Sequence, residues 1–166
     1  MKQIKLLLSD VDGVMTDGSL AFGPDGDEIK TFHVRDGLAV HFWQSLGLKF
    51  GIVTGRTCRI VQARAKELGI GYVRQGALEK LPHVRDLAKE VGVTLDEIAY
   101  IGDDLLDLPV IKAVGLGASV ADGVEEVRAA AQFVTQAPGG RGAVREFVEH
   151  LLKESGRWEE VLKRYQ

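Results

Sequence analysis

The chain has 166 residues, 45% of them hydrophobic and 27% charged, and a formal net charge of −3. This length and composition suit one compact domain spanning 1–166, and the near balance of charge argues against nucleic acid or a membrane surface as a partner. No apolar stretch is long enough to cross a bilayer, no signal peptide is evident, and Cys58 has no cysteine with which to pair, so we expect a cytoplasmic protein.

Strand and helix patterns alternate along the chain, and glycines follow several of the helices. Strands are predicted at 4–9, 49–54, 72–74, 98–101, 115–118 and 132–134, of which the first is buried and the last is an edge strand. Helices are predicted at 36–46, 60–68, 80–91, 105–113, 124–131, 143–153 and 158–164. Asp122 is a candidate N-cap for the helix at 124–131. This alternation indicates an α/β fold with a doubly wound, Rossmann-like parallel sheet, whose ligands bind at the carboxyl ends of the strands.

A β-hairpin is predicted between the first strand and the first helix. The turn sequence over 23–26 separates short segments at 20–22 and 28–33, within an insertion of about 17–33. The edges of such a hairpin can pair with further copies of the chain, or the hairpin can fold back on its own sheet. Both arrangements are compatible with the sequence.

Glycines also crowd the segment 139–142, before the last two predicted helices. This run is either a flexible joint or a mobile loop that carries Arg141 onto a ligand, and composition alone favours the joint. We expect a mobile C-terminal segment over about 136–166.

Two carboxylates follow the first predicted strand. Asp10 and Asp12 are two residues apart, and since side chains alternate along a strand, both project to one side if the extended geometry continues. Two like charges this close need a cation or a shared proton to compensate them. Mg²⁺ is the natural candidate, because it takes carboxylate and phosphate oxygens at about 2.0–2.1 Å.

Polar residues also follow the next three strands of the predicted sheet. Thr54 ends the second strand, Lys80 opens the helix after the third, and Asp103 follows the fourth. Each alone is compatible with a turn, cap or surface residue, but together they place carboxylates, a hydroxyl and an ammonium on one rim. This set fits phosphoryl transfer, in which one Asp attacks phosphorus, Lys and Thr hold the phosphoryl oxygens, and a second carboxylic acid protonates the leaving oxygen.

These residues resemble the four motifs of the haloacid dehalogenase superfamily, in the same order. The matching positions are 10–14, 54–56, Lys80 and 102–107. The resemblance implies that Asp10 is the nucleophile and Asp12 the general acid and base. An unperturbed Asp is ionised at neutral pH, so the pKa of Asp12 would have to be raised by its acidic neighbours or by bound phosphate.

The same resemblance implies a Mg²⁺ site. The groups that would hold the ion are the carboxylates of Asp10 and Asp103 and the backbone carbonyl of Asp12. Thr54 and Lys80 would bind the phosphoryl group. The carboxylates at 104 and 107 are expected to support these residues or to begin a helix, rather than to contact the ion.

Further segments resemble the 3-deoxy-D-manno-octulosonate 8-phosphate phosphatases, over roughly 4–146 of the chain. They are 16–18, the hairpin, 34–37, 75–76, 105–109 and 139–146. Enzymes of this family release phosphate from an eight-carbon sugar acid made for lipopolysaccharide. By this resemblance, the residues that would bind a sugar acid phosphate are Asp12, His33, Val34, Arg35, Asp36, Gly37, His41, Arg56, Arg64 and Lys80.

The resemblance also implies a cap-less enzyme that forms a homotetramer through its hairpin, with the segment 139–146 closing over an active site. Independently of the family, the intervals 12–54 and 80–103 are too short for a cap domain, so a bulky substrate or a neighbouring subunit must shield the site from water. The sequence departs from the family pattern at 57–58 and 77–79, which leaves the catalytic positions intact.

Two other functions are compatible with parts of this pattern. A phosphatase of a nine-carbon, sialic-type sugar acid phosphate would use the same catalytic residues, although the glycine-rich segment is typical of the eight-carbon group. A receiver-like signalling module would also bind Mg²⁺ through acidic residues. Its phosphate-accepting Asp, however, ends the third strand, where this chain has no Asp in 73–75.

Overall fold

The computed structural model describes residues 3–166, which form eight strands, seven α-helices and a short 3-10 helix at Leu95–Glu97. The strands are β1 (Leu6–Ser9), β2 (Ala21–Phe22), β3 (Glu28–Ile29), β4 (Lys49–Val53), β5 (Tyr72–Arg74), β6 (Ile98–Gly102), β7 (Leu116–Ser119) and β8 (Phe133–Val134). The α-helices are α1 (Val34–Ser45), α2 (Arg59–Glu67), α3 (Lys80–Val91), α4 (Leu108–Ile111), α5 (Glu125–Ala130), α6 (Ala143–Glu154) and α7 (Trp158–Leu162).

Six strands form one parallel sheet in the order β5-β4-β1-β6-β7-β8. In this register Leu8 of β1 lies opposite Gly51 of β4 and Tyr100 of β6. The direction of strand addition reverses between β1 and β6, which is where such sheets open a crevice at their carboxyl edge. The predicted doubly wound α/β fold is therefore confirmed.

Two apolar layers enclose the sheet. Leu7 packs into the layer that contains Trp43 and Phe147, whereas Leu6 and Leu8 pack into the opposite one. This division follows from the alternation of side chains along a strand, and it explains why β1 is an uninterrupted apolar run. With both faces buried, β1 holds the residues that follow it in a fixed position.

The predicted hairpin is present, as the antiparallel pair β2 and β3, with Ala21 opposite Ile29 and Phe22 opposite Glu28. Each strand has only two residues, fewer than predicted. Within residues 3–166, no further strand pairs with the hairpin to lengthen its ladder. No cap domain is inserted between β1 and β4, where the structure has the hairpin and α1.

The C-terminal segment packs on the body of the protein. α6 lies against α1, and Phe147 and Leu152 of α6 are fully buried. Gly140 N–H donates to Val14 O at 2.9 Å, and Gly139 N–H donates to Asp122 Oδ1 at 2.9 Å. The mobility expected for 136–166 stays a prediction.

Two local predictions need correction. Asp122 is not the N-cap of α5, because Val124 occupies that position and the Asp122 carboxylate binds the glycine-rich segment instead. The helix predicted over 105–113 is confined to Leu108–Ile111, since the residues before it form a turn around the carboxylate of Asp107.

None of the helices described in 3–166 is long and apolar enough to cross a membrane.

Candidate active site

Asp10 immediately follows β1 and is 7% exposed. Its backbone N–H donates to Ile101 O at 3.0 Å, which extends the pairing of β1 with β6 by one residue. In its side chain, Oδ1 accepts the Val11 N–H at 2.7 Å, and Oδ2 lies 2.8 Å from Lys80 Nζ. Partners on both oxygens fix this carboxylate at the carboxyl edge of the sheet.

Lys80 begins α3, and its side chain is withdrawn from water. A buried ammonium is unfavourable unless carboxylates accompany it. Here Nζ lies between Asp10 and Asp107, whose Oδ1 is 2.6 Å away. Asp107 also accepts hydrogen bonds from the Tyr100 hydroxyl and from two backbone N–H groups of the β6–α4 loop, at 3.1 and 3.2 Å. The contact of Tyr100 with Asp107 has no signal in the sequence, because a tyrosine inside an apolar strand is indistinguishable from a core residue.

Asp103 lies in the loop after β6 and faces the same cluster. One carboxylate oxygen from each of Asp10, Asp103 and Asp107 lies within 4.8 Å of the others. Oδ1 of Asp103 is buried and has no hydrogen-bond partner within the described residues 3–166. Gly13 makes room for this carboxylate, since a Cβ there would overlap it, and its φ of +86° lies in the left-handed region that favours glycine.

Burial and mutual repulsion raise the pKa of two of these carboxyls. Burial, and then the charge of Asp107, raises the pKa of Asp10 to about 6 although Lys80 opposes the shift. Burial, and then the charges of Asp10 and Asp107, raises the pKa of Asp103 to about 8. Such crowding of negative charge, with an oxygen left unpartnered, fits a hard divalent cation such as Mg²⁺.

Thr54 follows β4, the strand next to β1, and is 1% exposed. Its N–H donates to Arg74 O at 2.9 Å, and its carbonyl accepts the Ala77 N–H at 3.0 Å. These bonds hold the Thr54 loop against the residues that lead into α3. Thr54 and Lys80 therefore lie on adjoining segments at the carboxyl edge of the sheet.

A second cluster of charged residues lies on the hairpin side of the rim. Asp12 Oδ1 pairs with Lys30 Nζ, which also lies 3.1 Å from Glu28 Oε2, and Glu28 Oε1 pairs with Arg56. Lys30 and Glu28 were not among the site residues predicted from the sequence. The available signal was weak: the two residues have opposite charge and are two positions apart on a predicted strand, so they share one face.

Comparison with known proteins agrees with this geometry. A family model described as haloacid dehalogenase-like hydrolase matches residues 73–147. The chain is 40% identical to the 3-deoxy-D-manno-octulosonate 8-phosphate phosphatase KdsC of Escherichia coli strain K12, over 96% of this chain and 85% of that protein. The chain belongs to the 3-deoxy-D-manno-octulosonate 8-phosphate phosphatase family.

Solved structures of this family superimpose closely on the chain. The phosphatase of Moraxella catarrhalis, in complex with magnesium, phosphate and a KDO molecule, gives a TM-score of 0.96 at 41% identity, covering 98% of this chain and 94% of that one. The cobalt-bound phosphatase of Haemophilus influenzae gives a TM-score of 0.90 at 41% identity, covering 93% and 90%. The chain is thus a haloacid dehalogenase-like hydrolase, and the receiver-like alternative is wrong.

The residues of this chain that the family resemblance predicts to bind substrate lie at the start of α1, along α1 and α2, and beside the hairpin. Asp36 and Gly37 are buried, His33 and Arg64 are partly buried, and Val34, Arg35, His41 and Arg56 are exposed. Asp36 Oδ1 accepts the Arg145 N–H at 2.8 Å, which ties α1 to the start of α6. Arg64 Nη1 lies 2.9 Å from Glu67 Oε2. Contact of these side chains with a substrate stays a prediction.

Proposed function

We propose that this protein is a Mg²⁺-dependent phosphomonoesterase that hydrolyses 3-deoxy-D-manno-octulosonate 8-phosphate (octulosonate phosphate) to the free sugar acid and phosphate, in lipopolysaccharide precursor synthesis. One observation carries the chemistry: the Asp10 carboxylate is held 2.8 Å from the buried ammonium of Lys80, beside the unpartnered oxygen of Asp103. The substrate follows from the relatives, of which the Moraxella catarrhalis enzyme is bound to magnesium, phosphate and KDO.

The reaction proceeds in two steps through an aspartyl phosphate. In the first, an Asp10 carboxylate oxygen attacks phosphorus while the bond from phosphorus to the sugar oxygen breaks, and Asp12 gives that oxygen a proton. In the second, Asp12 takes a proton from a water molecule, which attacks the phosphorus and releases Asp10. Lys80 and Thr54 hold the phosphoryl oxygens in both steps.

The groups that would hold Mg²⁺ are the carboxylates of Asp10 and Asp103 and the backbone carbonyl of Asp12. Mg²⁺, when bound, offsets the negative charges of the phosphate and of the nucleophile. Asp107 belongs to the same acidic cluster, but both of its oxygens already accept hydrogen bonds. We therefore assign to Asp107 the task of holding Lys80 rather than the ion.

We also propose that the enzyme is cytoplasmic and forms a homotetramer, and the hairpin supports the assembly. Its surface exposes large apolar side chains, which on a monomer would contact water: Leu20 (53% exposed), Phe22 (61%), Ile29 (54%) and the adjoining Val34 (81%). Exposed apolar clusters of this kind mark protein interfaces, and a hairpin edge can pair with a second copy. Light scattering should therefore give a smaller assembly for Phe22→Ser than for the parent, and no change for Tyr165→Ser, which removes an exposed aromatic side chain elsewhere.

A phosphate-release screen over sugar phosphates, with and without Mg²⁺, tests the proposed function. Release from octulosonate phosphate should need Mg²⁺ and should exceed release from a nine-carbon sugar acid phosphate or from unrelated phosphomonoesters. Asp10→Asn should abolish release, whereas Asp25→Asn, an exposed change in the hairpin turn, should not alter it. Equal release from unrelated phosphomonoesters would contradict the substrate assignment.

A further inference from the structure

The loop between β7 and α5, residues 120–124, supports the backbone of Asp103. Val124 N–H donates to Asp103 O at 2.9 Å. Gly123 lies so close to this backbone that an added Cβ would stand 3.2 Å from Asp103 O and 2.5 Å from Ser119 Oγ. The β7–α5 loop therefore packs directly against one of the two loops that carry the predicted Mg²⁺ ligands.

The β7–α5 loop also binds the glycine-rich segment 139–142 and the residues before it. Gly139 N–H donates to Asp122 Oδ1 at 2.9 Å, and Ala121 N–H donates to Ala137 O at 3.3 Å. Asp122 is an exposed residue, so what it contributes here is an acceptor oxygen rather than buried apolar surface.

Gly139 and Gly140 in turn rest on the loop that follows β1. An added Cβ on Gly139 would overlap Gly13 O, and Gly140 N–H donates to Val14 O at 2.9 Å. Gly13 itself makes room for the Asp103 carboxylate, which an added Cβ there would overlap. These contacts close a ring that runs from Asp103 through the β7–α5 loop and the glycine-rich segment to Gly13, and back to Asp103.

We propose that Asp122 is a positioning residue for Mg²⁺ binding. By holding Gly139, it fixes the distance between the two loops that carry the predicted ligands. The inference rests on the proposed function, in which Asp10, Asp12 and Asp103 hold the ion. Mg²⁺ requires a near-octahedral set of ligands at about 2.0–2.1 Å, so a small displacement of one loop weakens its binding. Residues that orient metal ligands without touching the ion typically contribute about 10- to 100-fold in affinity.

Two simpler roles for Asp122 lead to different results. If Asp122 served only the stability of the fold, its loss would lower the melting temperature and leave the Mg²⁺ affinity of the folded protein unchanged. If its negative charge attracted the cation, Asp122→Asn would weaken binding as much as Asp122→Ala, because both remove the charge. Asparagine keeps an acceptor oxygen for Gly139 N–H, whereas alanine does not. The two variants therefore separate the hydrogen bond from the charge.

The test is isothermal titration of Mg²⁺ into the full chain without substrate. In Asp122→Ala, the Kd for Mg²⁺ should rise by about 10-fold. Asp122→Asn should bind Mg²⁺ as the parent does. Asp122→Glu keeps the charge but moves the acceptor by one methylene, so its Kd should also rise, and it serves the same comparison if Asp122→Ala does not fold. The stoichiometry of each titration counts the folded molecules, so the Kd refers to them alone.

Glu125→Ala is the matched control. Glu125 is an exposed acidic residue in the first turn of α5, close to Asp122 in the chain, and this variant should leave the Kd unchanged. An unchanged Kd in Asp122→Ala, or an equal rise in Asp122→Ala and Asp122→Asn, would overturn the assignment of Asp122. A parent protein that binds no Mg²⁺, or that binds it but releases no phosphate from octulosonate phosphate, would instead contradict the proposed function.

Discussion

Lys80 Nζ lies 2.6 Å from Asp107 Oδ1, and both side chains are withdrawn from water. Burial alone would lower the pKa of Lys80, but the charges of Asp10 and Asp107 outweigh it and raise that pKa. The ammonium is therefore charged across the whole neutral range. Because Asp107 holds it from behind, its other contact is with Asp10, on the side where phosphate would bind.

This arrangement predicts different effects for Asp107, which anchors Lys80, and for Tyr100, which donates a hydrogen bond to Asp107. Asp107→Asn removes the charge that anchors the ammonium and should lower kcat by about 100-fold. Tyr100→Phe removes one of several hydrogen bonds to Asp107, so it should cost about 1 kcal/mol in the free energy of unfolding and leave kcat nearly unchanged. Steady-state kinetics and urea unfolding check both variants. An unchanged kcat in Asp107→Asn would show that Lys80 needs no anchor.

Asp103→Asn should stabilise the metal-free protein while removing its response to Mg²⁺. The pKa of Asp103 is raised from 3.8 to about 8, so between these values the folded chain retains a proton that the unfolded chain has lost. This carboxyl therefore destabilises the fold increasingly as pH rises through that window, and an amide does not. At neutral pH the variant should melt above the metal-free parent, with no further gain from added Mg²⁺.

Asp104→Asn is the control for that experiment. Asp104 is exposed, and its carboxylate accepts the N–H of Leu105 at 2.7 Å, so the variant should keep the rise in melting temperature that Mg²⁺ produces. If Asp103→Asn responds to Mg²⁺ as Asp104→Asn does, the carboxylate of Asp103 does not hold the ion.

We expect the stability of the fold to depend on pH through Asp36, which lies at the contact between α1 and α6. Burial raises the pKa of Asp36, although the N–H of Arg145 opposes the shift. Stability from this group is then fully present below the unfolded pKa and falls as pH rises toward neutrality. Asp36→Asn keeps an acceptor for Arg145, so its free energy of unfolding should exceed that of the parent at neutral pH and match it in acid.

Asp36→Ala separates the acceptor from the charge. Alanine offers nothing to the N–H of Arg145 near the start of α6, where the N-cap is Gly142 and has no side chain, so Asp36→Ala should be about 1 kcal/mol less stable than Asp36→Asn at any pH. Chemical denaturation at several pH values gives both curves. A parallel pH dependence in the parent and in Asp36→Asn would show that this carboxyl titrates normally.

Gly139 should tolerate no side chain. An added Cβ would overlap the carbonyl oxygen of Gly13, in the loop that follows Asp12. Gly139→Ala should therefore cost about 1–3 kcal/mol, or displace the loop and lower activity. Gly71→Ala, where an added Cβ meets no atom within 4 Å, should do neither. Thermal unfolding and kinetics of the two variants test whether the glycine-rich segment rests on the catalytic loop.

Sequence predicts those features of the fold and of the candidate site that are set by local pattern. An apolar run followed by Asp10 and a later one followed by Asp103 suffice to bring both residues to one edge, because parallel strands end on the same side. The contact of Lys30 with Asp12 depends on where the hairpin of β2 and β3 folds over the rim. The hydrophobic periodicity of the sequence does not predict that position. The bond from Arg145 to Asp36 joins residues 109 positions apart and likewise has no local signal.

Chemical trapping shows whether Asp10 is the residue that carries the phosphoryl group. The Asp12→Asn variant with Mg²⁺ and para-nitrophenyl phosphate should form the aspartyl phosphate but hydrolyse it slowly, since the water lacks its base. Acid quenching, borohydride reduction and peptide mass spectrometry should then find homoserine in place of Asp10. Homoserine at another position, or an unmodified Asp10 after nitrophenolate has been released, would contradict the account.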